Sequence, residues 1–385
     1  MQFRSRTALA AVCAGVVTAA LTACGADDAE TSGAVRIPAD PIAVTHDGGI
    51  RVLDGNTLAQ TAQVDLPGFN RLNPAGDDRH LIVSTADGFR VLDTHDATFG
   101  AEFAAAKPGH VVHHAGRTVL FADGSGEITA FDSADVGDDA PKTATHRTAA
   151  PHHGVAVELA DGRMVVTLGT EDKRTGIAVL DRDRKEITRN EDCPGVHGEA
   201  TAAGETVVLG CQTGVLVYRD GVITKVNSPT PYGRIGNQAG SDASPIVLGD
   251  YKQDKDAELE RPQQVSLIDT AAGSLRLVDL GASYTFRSLA RGPQGEALVL
   301  GTDGRLHVID PVTGTVTRRI EVTAPWQEPL KWQEARPALF ARGGIAYVTE
   351  PATGEVHRVD LATGAVTASV TLPSAPNELS GVTAH

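Results

Sequence analysis

Three histidines stand at matched places in this chain. Each follows a proline by two or three residues: Pro108 and His110 in "KPGHVVHHAG", Pro151 and His153 in "PHHGVAV", Pro194 and His197 in "CPGVHGEA". Successive members are 43 and 44 residues apart. Three neutral imidazoles converging on one point form a donor set for a borderline metal. Zinc takes nitrogen ligands at roughly 2.0–2.1 Å and prefers four-coordination, so a three-histidine set leaves one position open. Divalent affinity order alone favours copper, so metal availability must select zinc. Binding needs deprotonated rings, and affinity should fall as pH drops through about 6.5. Glu199, two residues beyond His197, points to the same face as a fourth ligand, a group behind a ligand, or a base. Asp123 in "FADG" reads first as a turn aspartate and second as a group behind a ligand.

The histidines recur because the chain recurs. A glycine, an alternating apolar segment and an aspartate return as "GIRVLD", "GFRVLD", "GEITAFD", "GIAVLD", "GVLVYRD", "QVSLID", "GRLHVID" and "GEVHRVD". The closing aspartates run from Asp54 to Asp360 with a mean step of about 44 residues. Alternation at period two marks strands with a buried face. The "DPVTG" and "DLATG" segments that follow are hairpin turns, with Asp accepting backbone bonds and Gly supplying positive φ. Another apolar run precedes each of these hairpins, and one more short segment, the one with the histidines, precedes that. Four strands per unit at this period predict an all-β fold, a β-propeller of eight four-stranded blades. The first copy has three strands, and "PNELSGVTAH" supplies the missing one, so the N- and C-terminal strands should pair to close the ring. Seven blades is the competing count, because the sixth unit carries the insert "GDYKQDKDAELERP". No 12-residue stretch reads as an amphipathic helix.

In a propeller the first strand of each blade lines the channel and opens at one mouth. His110, His153 and His197 then lie side by side on the channel wall, with Arg71, Arg234 and Arg287 in the same slot of other units. Those arginines either pair with channel carboxylates or attract an anionic group. His113, His114 and His152 read as satellites. His46, His80, His95, His146, His307, His357 and His385 read as surface or turn residues.

Residues 1–23 read as a secretion signal: basic "MQFRSR", an apolar stretch too short to span a membrane, then "LTAC". That ending resembles the bacterial lipobox and implies lipid modification at Cys24. Residues 24–40 read as a flexible tether and 41–385 as one propeller domain. The whole chain has 49 acidic and 34 basic residues, a net charge of −15; loss of Arg4 and Arg6 with the signal takes it to −17. This charge argues against nucleic acid and anionic membrane as partners and for a cation as ligand. Of four cysteines, Cys13 leaves with the signal and Cys24 carries lipid. Cys193 and Cys211 remain, an even pair in an oxidising compartment, and a disulfide is expected.

The histidine motifs, taken with "FADGSGEITAFD" in this order on this repeat, resemble the AztD family of extracytoplasmic zinc metallochaperones. The resemblance implies a propeller that binds Zn2+ through His110, His153 and His197, with a Cys193–Cys211 disulfide. It implies transfer of that zinc to the substrate-binding protein of a zinc ABC importer. The expected protein is a monomer without enzymatic activity, tethered by lipid to the outer face of the cytoplasmic membrane. Unlike better-known members, its N-terminal "CGADDAETSG" lacks a histidine-rich stretch. Two other readings carry weight. A zinc-dependent hydrolase or lyase could use the same histidines with Glu199 as base, although H-E-x-x-H, G-x-S-x-G and phosphate-loop motifs are absent. A metal-free surface scaffold is the third.

Overall fold

The computed structural model describes residues 37–383. The expected signal sequence, Cys24, most of the expected tether and His385 lie outside the described residues.

Eight four-stranded antiparallel sheets follow one another along the chain. Blade 2 is typical: Arg71–Pro74, His80–Ser84, Gly88–Asp93 and Thr98–Ala104, each strand paired with the next. Blade 3 begins with Pro108–His114, blade 4 with Ala156–Glu158 and blade 5 with His197–Ala202. Blades 6, 7 and 8 begin with Gln238–Ala239, Leu289–Arg291 and Leu339–Arg342. Blade 1 is built from both ends of the domain. Its strands Ile42–His46, Gly49–Leu53 and Gln60–Asp65 receive Leu379–Gly381 as the innermost member, in the register Val44 to Leu379 and Ile42 to Gly381. First strands touch between blades 1 and 2, 3 and 4, 5 and 6, 6 and 7, and 7 and 8, and that of blade 8 meets Leu379–Gly381. The count is therefore eight. The "GDYKQDKDAELERP" insert falls between the second strand, Ile246–Gly249, and the third, Gln264–Asp269, of an otherwise regular blade 6. Helix among the described residues amounts to one 3-10 turn, Ser133–Asp135.

The burial pattern explains the sequence pattern. Middle strands such as Ile42–His46, His80–Ser84 and Thr206–Cys211 are buried throughout, because a neighbouring blade covers each face. Outer strands such as Gln60–Asp65 alternate between exposed and partly covered. The core is a series of slabs between blades. One unites Val155, Val165 and Val179 of blade 4 with Val207, Leu209 and Leu216 of blade 5. Each such slab removes aliphatic surface from water at about 25 cal/mol per Å2, so blade-to-blade packing sets the angular position of whatever each blade carries.

The recurring aspartate shapes the outer hairpin. Asp310 Oδ1 accepts from the N–H groups of Val312 at 2.8 Å and Thr313 at 2.9 Å; Asp269 accepts likewise from Ala271 and Ala272. Gly273, Gly314 and Gly364 follow with positive φ, the turn chemistry the repeat requires.

Candidate metal centre

His110 is the third residue of Pro108–His114, and pairing with the next strand skips between Pro108 and Val111. His197 opens His197–Ala202, where pairing also skips, between His197 and Glu199. Such bulges re-aim a side chain away from the regular pleat. At the second bulge Gly198 adopts φ 71°, and a Cβ there would strike Gln238 Oε1 and the Gly236 carbonyl. His153 lies three residues ahead of Ala156–Glu158, in the loop entering blade 4.

These positions bring the three rings together. The centroid separations are 4.9 Å for His153–His197, 5.2 Å for His110–His153 and 5.6 Å for His110–His197. One nitrogen of each ring lies within 4.8 Å of those of the other two. Nitrogens bound to one tetrahedral zinc stand about 3.4 Å apart, a gap that small side-chain rotations close.

The rings of His153 and His197 are held from behind by hydrogen bonds, and His110 lies within ion-pair distance of a carboxylate. Nδ1 of His153 is 2.5 Å from Asp123 Oδ2, Nδ1 of His197 is 2.6 Å from the Gly236 carbonyl oxygen, and Nδ1 of His110 is 2.9 Å from Glu199 Oε2. An Nδ1 hydrogen-bonded to an acceptor carries the proton, which assigns the lone pair of His153 and of His197 to Nε2. Metal-ligating histidines are oriented in this way. Asp123 is further anchored by the Gly154 N–H, which donates to its Oδ1 at 3.2 Å. His197 is held well below the ordinary imidazole range, first by burial and then by the neighbouring His110 and His153; the Gly236 carbonyl opposes this and Arg234 adds to it.

Glu199 Oε2 lies 2.9 Å from Nδ1 of His110 without making a hydrogen bond to it. Asp123 turns out to hold His153 as well as to make a turn. Nothing in "YGRIGNQAG" flagged the Gly236 carbonyl, because every residue carries one. Cys193 and Cys211 form a disulfide. It ties the segment leading into His197 to the strand Thr206–Cys211, whose Gly210 pairs with His197.

Other expectations are corrected. His46, His80, His307 and His357 are buried instead of lying at the surface, because they occupy strands covered on both faces. His152 is buried too, with Nδ1 2.9 Å from the Ala150 carbonyl and Nε2 3.0 Å from Thr167 Oγ1, which makes it a structural tie. Arg287 pairs with Glu378 at 2.6 Å, and Arg71 reaches the same carboxylate at 4.0 Å, so these two arginines meet a channel-mouth carboxylate. Arg234 instead flanks the histidines.

No protein-family model matches the chain. The curated protein Zinc chaperone AztD of Citrobacter koseri is 26% identical over 286 residues, which is 71% of this chain and 65% of that protein. The match thus spans just under two thirds of the relative's length. The solved structure of apo AztD from Citrobacter koseri superposes with a TM-score of 0.78 at 23% identity, covering 89% of this chain and 96% of that one. A second crystal structure of the same organism's AztD gives 0.77 at 23% identity, covering 90% and 98%. The dihydro-heme d1 dehydrogenase NirN follows with 0.61 at 11% identity, covering 89% and 75%. These superpositions establish the propeller fold, and the likeness to AztD read from the motifs extends through sequence and architecture.

Proposed function

We propose that this protein is an extracytoplasmic zinc chaperone that holds Zn2+ on Nε2 of His110, His153 and His197 and carries out no chemical conversion of its own. The observation that carries this reading is that one nitrogen of each of the three rings lies within 4.8 Å of the other two, with His153 and His197 already hydrogen-bonded through Nδ1 so that each offers Nε2. Pre-orientation lowers the entropy lost on binding. The likeness to a protein named a zinc chaperone supports the same reading.

The cargo leaves by ligand exchange. Three protein ligands leave one position open on a four-coordinate ion. A donor from the recipient enters there before the last histidine departs, so free aquo-zinc never forms. The recipient in this proposal is the substrate-binding protein of a zinc ABC importer. The disulfide accords with an oxidising compartment. No helix among the described residues is long and apolar enough to cross a membrane, and the proposed attachment is a lipid on Cys24.

A competition titration against a chromophoric chelator tests the site, with His153→Ala as the control. Wild type should take one tight equivalent and the variant should lose it without loss of fold. Zinc-loaded protein mixed with an apo importer binding protein should then hand over its metal in the presence of excess chelator. A variant that keeps the tight equivalent would refute the site.

A further inference from the structure

We propose that Glu350, Glu355 and His357 form a second zinc site, on the rim of blade 8. This inference stands on its own donor set and does not depend on the chaperone reading.

Glu350 ends the second strand of blade 8, Ile345–Glu350, and Glu355 opens the third, Glu355–Asp360; the two are directly paired across the hairpin. His357 is two residues further on and shares Glu355's face by strand alternation. One donor atom from each of the three lies within 4.8 Å of the other two. Glu350 and His357 are more than nine-tenths buried. Nε2 of His357 is 3.2 Å from Glu350 Oε2, and its Nδ1 is 2.8 Å from Ser369 Oγ. The Ala324 N–H donates to Glu350 Oε1 at 2.9 Å. Among the described residues, no lysine or arginine pairs with either carboxylate.

Blade 7 shows what a purely structural arrangement looks like. His307 occupies the corresponding third position of Arg305–Ile309, and its Nε2 is 3.2 Å from both oxygens of Asp303. One carboxylate there meets Nε2, and Nδ1 of that imidazole has no hydrogen-bond partner. At the place of Glu355 blade 7 has Arg305, which pairs with Glu321. Blade 8 reverses the charge there and sets a second carboxylate beside the first with no cation to offset it. Like charges at this range repel unless a counter-ion intervenes.

One imidazole and two carboxylates suit zinc with an open fourth position. Calcium and magnesium demand six or more oxygen ligands, which this set does not supply. The second strand runs antiparallel to the first, so Glu350 lies on the rim where the first strands begin. Asp123, just past the second strand of blade 3, lies on that rim and holds His153. Both sets of donors therefore lie toward one face of the ring.

The test is equilibrium dialysis against buffered Zn2+ alone, with bound metal counted by atomic absorption. Glu355 has no side-chain partner, so Glu355→Gln should fold as wild type, which circular dichroism and melting temperature check. Wild type should bind two equivalents, with the second at higher free zinc. Glu355→Gln should lose the second or need at least tenfold more free zinc to half-fill it. His153→Ala should lose the tight equivalent and retain the other. If Glu355→Gln fills both equivalents as wild type does, the blade 8 site is wrong and any extra zinc is adventitious. If His153→Ala keeps both, the three-histidine reading fails and the blade 8 site is untouched.

Discussion

Asp123 Oδ2 lies 2.5 Å from Nδ1 of His153, although the two residues are 30 positions apart and belong to adjacent blades. The contact fixes the ring's tautomer and its direction together. Removing such a partner usually costs 10–100-fold in metal affinity. Asp123→Ala should weaken zinc binding by that factor in a chelator competition, and Asp123→Asn, which keeps an acceptor, should weaken it less. Equal affinities for all three proteins would show that the contact does not prepare His153.

The pH response follows from His197. Its folded-state value is depressed by burial and by its histidine neighbours, while in the unfolded chain the ring titrates near 6.5. Between the two values the unfolded state binds the proton and the folded state does not, so stability rises with pH there. The apo protein should be fully stable, as far as this group is concerned, above about pH 6.5 and should lose stability as pH falls below it. His197→Gln should flatten that dependence. Urea midpoints of both proteins at several pH values between 5 and 7.5 provide the measurement.

Gly198 holds the bulge that aims His197. Gly198→Ala must place a Cβ against the Gly236 carbonyl in a left-handed conformation, at a cost of about 1–2 kcal/mol. Zinc affinity should fall at least tenfold, because the same shift pulls Nδ1 of His197 from the Gly236 oxygen. Denaturation and chelator competition together report the two effects.

The disulfide stabilises the approach to His197. Its cysteines are 18 residues apart, and closing a loop of that size contributes about 3 kcal/mol in the unfolded-chain model. The double variant Cys193→Ser, Cys211→Ser should lose about that much stability and bind zinc more weakly. Wild type in strong reductant should behave like the double variant in both assays.

Arg287 and Glu378 join blade 7 to the closing strand of blade 1 through a buried pair. Removing one partner of such a pair typically costs about 3–5 kcal/mol, because the other charge is stranded. Glu378→Ala should therefore lower the urea midpoint sharply. A change under about 1 kcal/mol would mean that water relieves Arg287.

The repeat was readable because each unit must build the same four strands from the same local rules: alternation, a turn aspartate, a turn glycine. The placement of Leu379–Gly381 in blade 1 was readable too, since an incomplete first unit and a lone last strand can only complete each other. The histidines shared a slot in the repeat, and shared slots become neighbours in a ring. Which group meets which ring was out of reach, although Glu199 and Asp123 were candidates. His153 finds Asp123 one blade back, His197 finds Gly236 one blade on, and His110 finds Glu199 two blades away. Burial of His46, His80, His307 and His357 was misjudged for a related reason. A polar residue in an alternating strand looks outward until a second blade is laid over it.

On its own, then, the sequence determined the strand rhythm, the closure of the ring, the cysteine pair and the three imidazoles that share a slot. The tertiary structure alone decided which nitrogen His153 and His197 offer, and that His357 comes within reach of Glu350 and Glu355 on blade 8. Local rules act over a few residues, while tautomer and burial depend on atoms brought in by neighbouring blades, whose phase is set by packing and closure of the whole ring.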